Sequence, residues 1–122
     1  CAIRIIPGSE KSQRLEYRIA AADANPYIIL AAVIASGLWG IENPGEIDNM
    51  VQGSAYDQTF PEHLKLDSTL WDATQKLKTS TMAKSYFGED FVNHYAASRE
   101  WEEREFRKHI SQWELERYFE II

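Results

Sequence analysis

A chain of 122 residues with 44% hydrophobic residues has the size of one small domain or of a piece of a larger one. Its formal net charge of −6 excludes nucleic acid as the main partner, because binding phosphates needs a basic face. No apolar run reaches the length of a membrane span, and the single cysteine, Cys1, permits no intrachain disulfide, so a cytoplasmic, reducing setting is expected.

The opening Cys1-Ala2-Ile3-Arg4 reads as the middle of a strand, which suggests a segment cut from a longer protein. Residues Ala2 to Ile6 are β-type and are broken by Pro7-Gly8-Ser9. From Arg14 to Ile19 the residues alternate strictly, with Arg14, Glu16 and Arg18 on one face and Leu15, Tyr17 and Ile19 on the other. The two runs are expected to pair as an antiparallel ribbon over residues 1–19, across the Gly8 to Gln13 loop. A lone hairpin is marginal in water, so it needs a cover.

Asn25-Pro26 opens a helix, since Asn is a good N-cap and Pro suits the first helical position. Over residues 25–41 the helix is apolar on all sides, which predicts a buried central helix. Residues 43–62, with Pro44-Gly45, Gly53 and Pro61, read as a loop. Residues 67–122 read as a helical subdomain. Asp67 or Ser68 caps its first helix, whose inward face is Leu70, Thr74 and Leu77, with Trp71 alongside. A short helix runs from about Thr81 to Phe87 and Gly88 ends it. A long helix from Glu89 to about Lys108 carries Glu100–Arg104 and Glu103–Arg107 pairs at i,i+4 spacing. Ser111-Gln112-Trp113-Glu114 is a capping box that starts a last helix. Trp101, Phe106, Trp113, Tyr118 and Phe119 are read as core. The fold class expected is mainly α, with a small N-terminal antiparallel β-hairpin.

Chemistry concentrates on one strand face. Residues two apart on a strand lie about 7 Å from each other, so Arg14, Glu16 and Arg18 form a row. Arginine grips phosphate or carboxylate with a two-pronged fork, and glutamate supplies hard oxygen to Mg²⁺ or Mn²⁺. Arg4 and Lys11 add positive charge nearby. A charged strand face is ordinarily just solvated, so the alternation by itself does not separate a site from a wetted surface. His63, His94 and His109 have no ligand spacing around them.

The residues that follow separate the two. Arg14-Leu15-Glu16-Tyr17-Arg18, then Ala22-Asp23-Ala24-Asn25-Pro26-Tyr27, then Ala31-Ala32 and Gly37-Leu38-Trp39-Gly40-Ile41-Glu42 resemble the C-terminal signature of the glutamine synthetases. The family pattern reads roughly R-x-E-x-R, a spacer, D-x-x-A-N-P-Y, an alanine-rich helix and A-G-L-x-G-I. This chain has a shorter spacer between Asp23 and Asn25 than some members, and Ser36 stands where many have Ala. The match is dense over residues 2–42 and looser beyond.

The resemblance implies the C-terminal portion of an α+β catalytic domain that joins ammonia or another amine to the γ-carboxylate of L-glutamate. ATP first phosphorylates that carboxylate, and the amine then displaces phosphate. By motif position Glu16 resembles a ligand of a catalytic Mg²⁺ or Mn²⁺, and Arg18 the arginine that holds glutamate and steadies the transferring phosphoryl group. Arg4, Lys11 and Arg14 resemble residues on the ATP side. Family members add metal-binding glutamates and a histidine, an Asn-Arg-x-Ser stretch, a flap glutamate and an aspartate from a neighbouring subunit of a ring. None of these segments is in this chain, so the chain alone is expected to be inactive and to need the rest of its catalytic domain. Two alternatives remain open: a γ-glutamylamine ligase, for example of polyamines, and a non-catalytic structural relative.

Overall fold

The computed structural model describes residues 2–45 and 50–121, in two compact units, Cys1–Pro61 and Glu62–Ile122. In the first unit, strand β1 (Ile3–Ile6) pairs antiparallel with β2 (Arg14–Tyr17). Ile3 faces Tyr17, Arg4 faces Glu16, Ile5 faces Leu15 and Ile6 faces Arg14. The Arg18 N–H donates to the Ala2 carbonyl at 2.8 Å and carries the ladder one step further. The connecting loop closes locally, with the backbone N–H groups of Ser12 and Gln13 both donating to the Ser9 carbonyl at 2.9 Å. Gly8 suits the close approach there, since a Cβ on it would force the Ser12 hydroxyl to shift.

Helix α1 (Pro26–Glu42) starts as the sequence predicts. The Asn25 side chain accepts from the N–H groups of Tyr27 and Ile28, and Pro26 occupies the first turn. The turn before it is closed by the Ala24 N–H on the Ala21 carbonyl. The expectation of a buried central helix is corrected. Of the α1 residues only Ala35 is buried, while Tyr27 is 82% exposed and Ile34 61%. An all-apolar helix needs cover on every side. Within its unit, Ile28, Ile29 and Ala32 line an open cavity of about 190 Å³ with Tyr17, Ile19 and Ala20, and the other faces of the helix stay open to solvent.

After α1, short 3₁₀ turns at Ala55–Asp57 and Glu62–Leu64 interrupt an otherwise irregular stretch. Residues 46–49 of the expected loop lie outside the described residues.

The second unit is helical: α2 (Leu70–Thr79), α3 (Thr81–Phe87), α4 (Glu89–Phe106) and α5 (Gln112–Tyr118). The cap of α2 is Thr69, not Asp67 or Ser68. Its hydroxyl accepts from the Asp72 N–H, and Asp67 instead pairs with Lys76 at 2.6 Å. Gly88 has φ +84°, a left-handed conformation that glycine adopts without steric cost, and it ends α3 and begins α4 with no helical residue between.

The core lies where α4 meets α2 and α3. Its buried residues are Thr74, Ala83, Val92 and Ala96, and small side chains there let the helices approach closely. The Thr74 hydroxyl is satisfied by donating to the Leu70 carbonyl at 2.6 Å. Leu70 and Trp71 are exposed, so the expected inward face of α2 narrows to Thr74 with half-buried Leu77.

The Glu103–Arg107 pair forms at 2.6 Å. Glu100 does not take Arg104 as its hydrogen-bond partner. It reaches α2, where Gln75 and Lys78 both donate to its Oε1, at 3.0 and 2.8 Å. Two long polar side chains on a neighbouring helix outcompete a pair along one helix, because the helix contact already holds them in place. The aromatic set read as core is also corrected: Trp101, Phe106, Trp113, Tyr118 and Phe119 are all exposed, although Trp113 and Tyr118 meet edge to face at 6.0 Å. The capping box at Ser111 and Glu114 is formed in full.

Candidate functional site

Four of the five site residues read from the sequence, Arg4, Arg14, Glu16 and Arg18, fall on one face of the hairpin, and Lys11 lies in the loop. Side chains alternate across a strand, and residues directly opposite on an antiparallel pair share a face. The register therefore places Arg4 and Ile6 of β1 beside Arg14 and Glu16 of β2, with Arg18 one step beyond the paired strands. The opposite face carries Ile3, Ile5, Leu15 and Tyr17, and Tyr17 and Ile19 turn to the cavity beside α1. The strict alternation from Arg14 to Ile19 thus separates a charged face from an apolar one, of which Tyr17 and Ile19 reach the helix while Leu15 stays exposed.

Arg4 and Glu16 are brought into direct contact. Arg4 Nη1 lies 3.5 Å from Glu16 Oε2, and both side chains remain in reach of solvent, at 59% and 37% exposure. An exposed ion pair of this kind contributes about 0.2–1 kcal/mol. It positions the carboxylate more than it stabilises the fold. Arg14 turns the other way: its Nη1 donates to the Ser12 carbonyl at 3.5 Å, at the base of the loop. Arg18 is exposed at the open end of the ladder. Lys11 is exposed in the loop turn, and no hydrogen bond or ion pair among the described residues joins it to Glu16.

Three arginines against one glutamate on a solvent-facing strand pair make a local cationic face in an acidic chain. Such a face can hold a polyanion, with fork-like donors for phosphate or carboxylate oxygens. Glu16 is the one carboxylate in it, and it already meets a cation through Oε2. A hard oxygen that is half exposed and open to a positive charge fits one ligand position of Mg²⁺ or Mn²⁺. The described residues contain no group of three or more His, Cys, Asp or Glu able to hold a metal, so the remaining ligands of such an ion would come from elsewhere. The direct opposition of Arg4 and Glu16 was not readable in the sequence. The signal for it is the loop between the strands, whose closure at Ser9–Gln13 sets the register.

Comparison with known proteins places this chain in a family. The glutamine synthetase catalytic domain matches residues 1–118. The chain therefore belongs to the glutamine synthetase family. It is 43% identical to type-1 glutamine synthetase 2 of Dictyostelium discoideum, over 99% of this chain and 23% of that protein. It is 38% identical to the glutamate–isopropylamine ligase of a Pseudomonas species, over 98% of this chain and 26% of that protein. It is 37% identical to a gamma-glutamylethanolamide synthetase of Streptomyces coelicolor, over 98% of this chain and 25% of that protein. The chain spans about a quarter of the length of these relatives. Among the described residues no helix is long and apolar enough to cross a membrane.

Proposed function

We propose that this chain is the C-terminal portion of the catalytic domain of an ATP-dependent ligase that joins ammonia or an amine to the γ-carboxylate of L-glutamate. The observation that carries this reading is the row of Arg4, Glu16, Arg14 and Arg18 on one hairpin face, in a chain that matches the family over residues 1–118.

In this reading Arg18 holds the glutamate substrate and steadies the phosphoryl group as it passes from ATP to the γ-carboxylate. Arg4, Lys11 and Arg14 bind on the ATP side, and Glu16 offers one oxygen to Mg²⁺ or Mn²⁺, which when bound neutralises phosphate charge. Transfer of a phosphoryl group needs charge stabilisation and positioning more than covalent help from the protein, and a cationic strand face supplies both. The amine then attacks the γ-glutamyl phosphate and phosphate leaves.

One metal ligand does not make a metal centre, so the isolated chain is inactive in this reading, and the working protein is cytoplasmic and oligomeric. The rest of its catalytic domain covers the open faces of α1, and neighbouring subunits take part of the exposed aromatic set after α4. The relatives' names include one glutamine synthetase and two ligases acting on amines, at similar identity, so the acceptor is assigned as ammonia or an amine.

The test is phosphate release by the full-length protein with ATP, Mg²⁺ and glutamate, across ammonia and a panel of amines. Amine-dependent release is expected, and Arg18→Ala is expected to reduce it by on the order of 10²–10³-fold, the usual cost of removing one transition-state charge partner. Folded protein that releases no phosphate with any acceptor would refute the ligase assignment and favour a non-catalytic relative.

A further inference from the structure

The Arg4–Glu16 pair carries a consequence for how the site fills. On the strand ladder these residues are directly opposite, and the guanidinium occupies one approach to the Glu16 carboxylate. A guanidinium and a divalent cation compete for the same oxygen, because both are satisfied by it and each repels the other. We infer that Arg4 is a positioning residue that competes with the divalent cation for Glu16, and that Glu16 exchanges this partner for the cation on loading. The inference rests on the proposed reading of Glu16 as a metal ligand.

Three features of the hairpin support it. Arg4 and Glu16 are fixed in register by ladder hydrogen bonds on both sides, so the pair does not depend on a flexible segment to bring them together. The contact is single and 3.5 Å long, well short of the two-pronged geometry that would lock it. Both side chains are partly exposed, so an incoming ion meets no packed wall and the arginine has solvent into which to swing. Arg14 shares the face but is engaged at the Ser12 carbonyl, which makes it a control of equal charge without the contact.

The sign of the effect separates this role from a merely structural one. A strand-stabilising arginine, when removed, loosens the hairpin and weakens metal binding. A competing arginine, when removed, strengthens it. The experiment is direct Mn²⁺ binding to the full-length protein in the absence of nucleotide, by electron paramagnetic resonance of the free ion and by calorimetry. The proteins compared are wild type, Arg4→Gln, Arg4→Met, Arg14→Gln and Glu16→Gln.

The two Arg4 variants are expected to bind Mn²⁺ roughly threefold to tenfold more tightly than wild type, from the repulsion of one unit charge a few ångströms from a divalent ion in a solvent-exposed setting. Arg14→Gln is expected to show a clearly smaller gain. Unchanged or weaker binding in both Arg4 variants overturns the inference, and so does an equal gain in Arg14→Gln, which would reduce the effect to net charge. Glu16→Gln separates this failure from failure of the underlying reading. It is expected to weaken Mn²⁺ binding, and if binding is unaltered, Glu16 is not a ligand and the reading on which the inference rests falls with it.

Discussion

Val92 offers the most direct test of how the helical unit is held together. It is fully buried on α4, in a core whose other buried members are Thr74, Ala83 and Ala96. Val92→Ala removes two methyl groups. At about 0.8 kcal/mol per buried carbon, with a further contribution from the cavity left behind, the loss comes to about 2 kcal/mol. For a unit of this size that corresponds to a fall in Tm of roughly 10 °C. The assay is urea unfolding of the 122-residue chain followed by far-ultraviolet circular dichroism, with the slope of the transition checked for constancy between variants. His94→Ala, on the exposed side of the same helix, is the control and is expected to change stability by no more than about 0.5 kcal/mol. If Val92→Ala costs no more than His94→Ala, the contact of α4 with α2 and α3 is not what stabilises the unit.

Two further outcomes are expected. Glu100 has its pKa lowered below the ordinary value of 4.5, first by the Lys78 hydrogen bond and then by Gln75. A lowered folded-state pKa gives a stabilising contribution that is complete above the unfolded value and is lost as the pH falls through the folded one. Stability of the α2–α4 contact should therefore be flat above about pH 4.5 and decline with acidification below it, and Glu100→Gln should flatten that decline in an acid titration of the same unfolding signal. Native-state amide exchange should rank the hairpin as less protected than α2 and α4, because two strands with exposed faces open more readily than packed helices. Equal protection in the two regions would contradict that ranking.

The local structure of this chain was largely legible in its sequence. Capping chemistry is written in adjacent residues, so the start of α1 at Asn25-Pro26, the break at Gly88 and the box at Ser111 and Glu114 were read correctly. The N-cap of α2 was missed by one or two places, because Asp67, Ser68 and Thr69 are all competent caps and only the geometry selects among them. The candidate site was legible as a row of residue types. Strict alternation sorts charged from apolar side chains before any partner strand is known, and the family signature lies in consecutive residues of the same stretch.

What tertiary structure decided are the relations between distant residues. The sequence holds Arg4 and Glu16 as members of one cationic group, but their direct opposition follows from the closure of a loop at Ser9–Gln13. Glu100 had an obvious partner four residues away on its own helix, and its actual partners are on α2, because helix packing brings Gln75 and Lys78 closer. Burial was the poorest inference. Apolar periodicity tells which faces need cover and says nothing of what supplies it. The sides of α1 and the aromatic residues from Trp101 to Phe119 are apolar by sequence and exposed in the fold, because burial belongs to the pair of surfaces that meet.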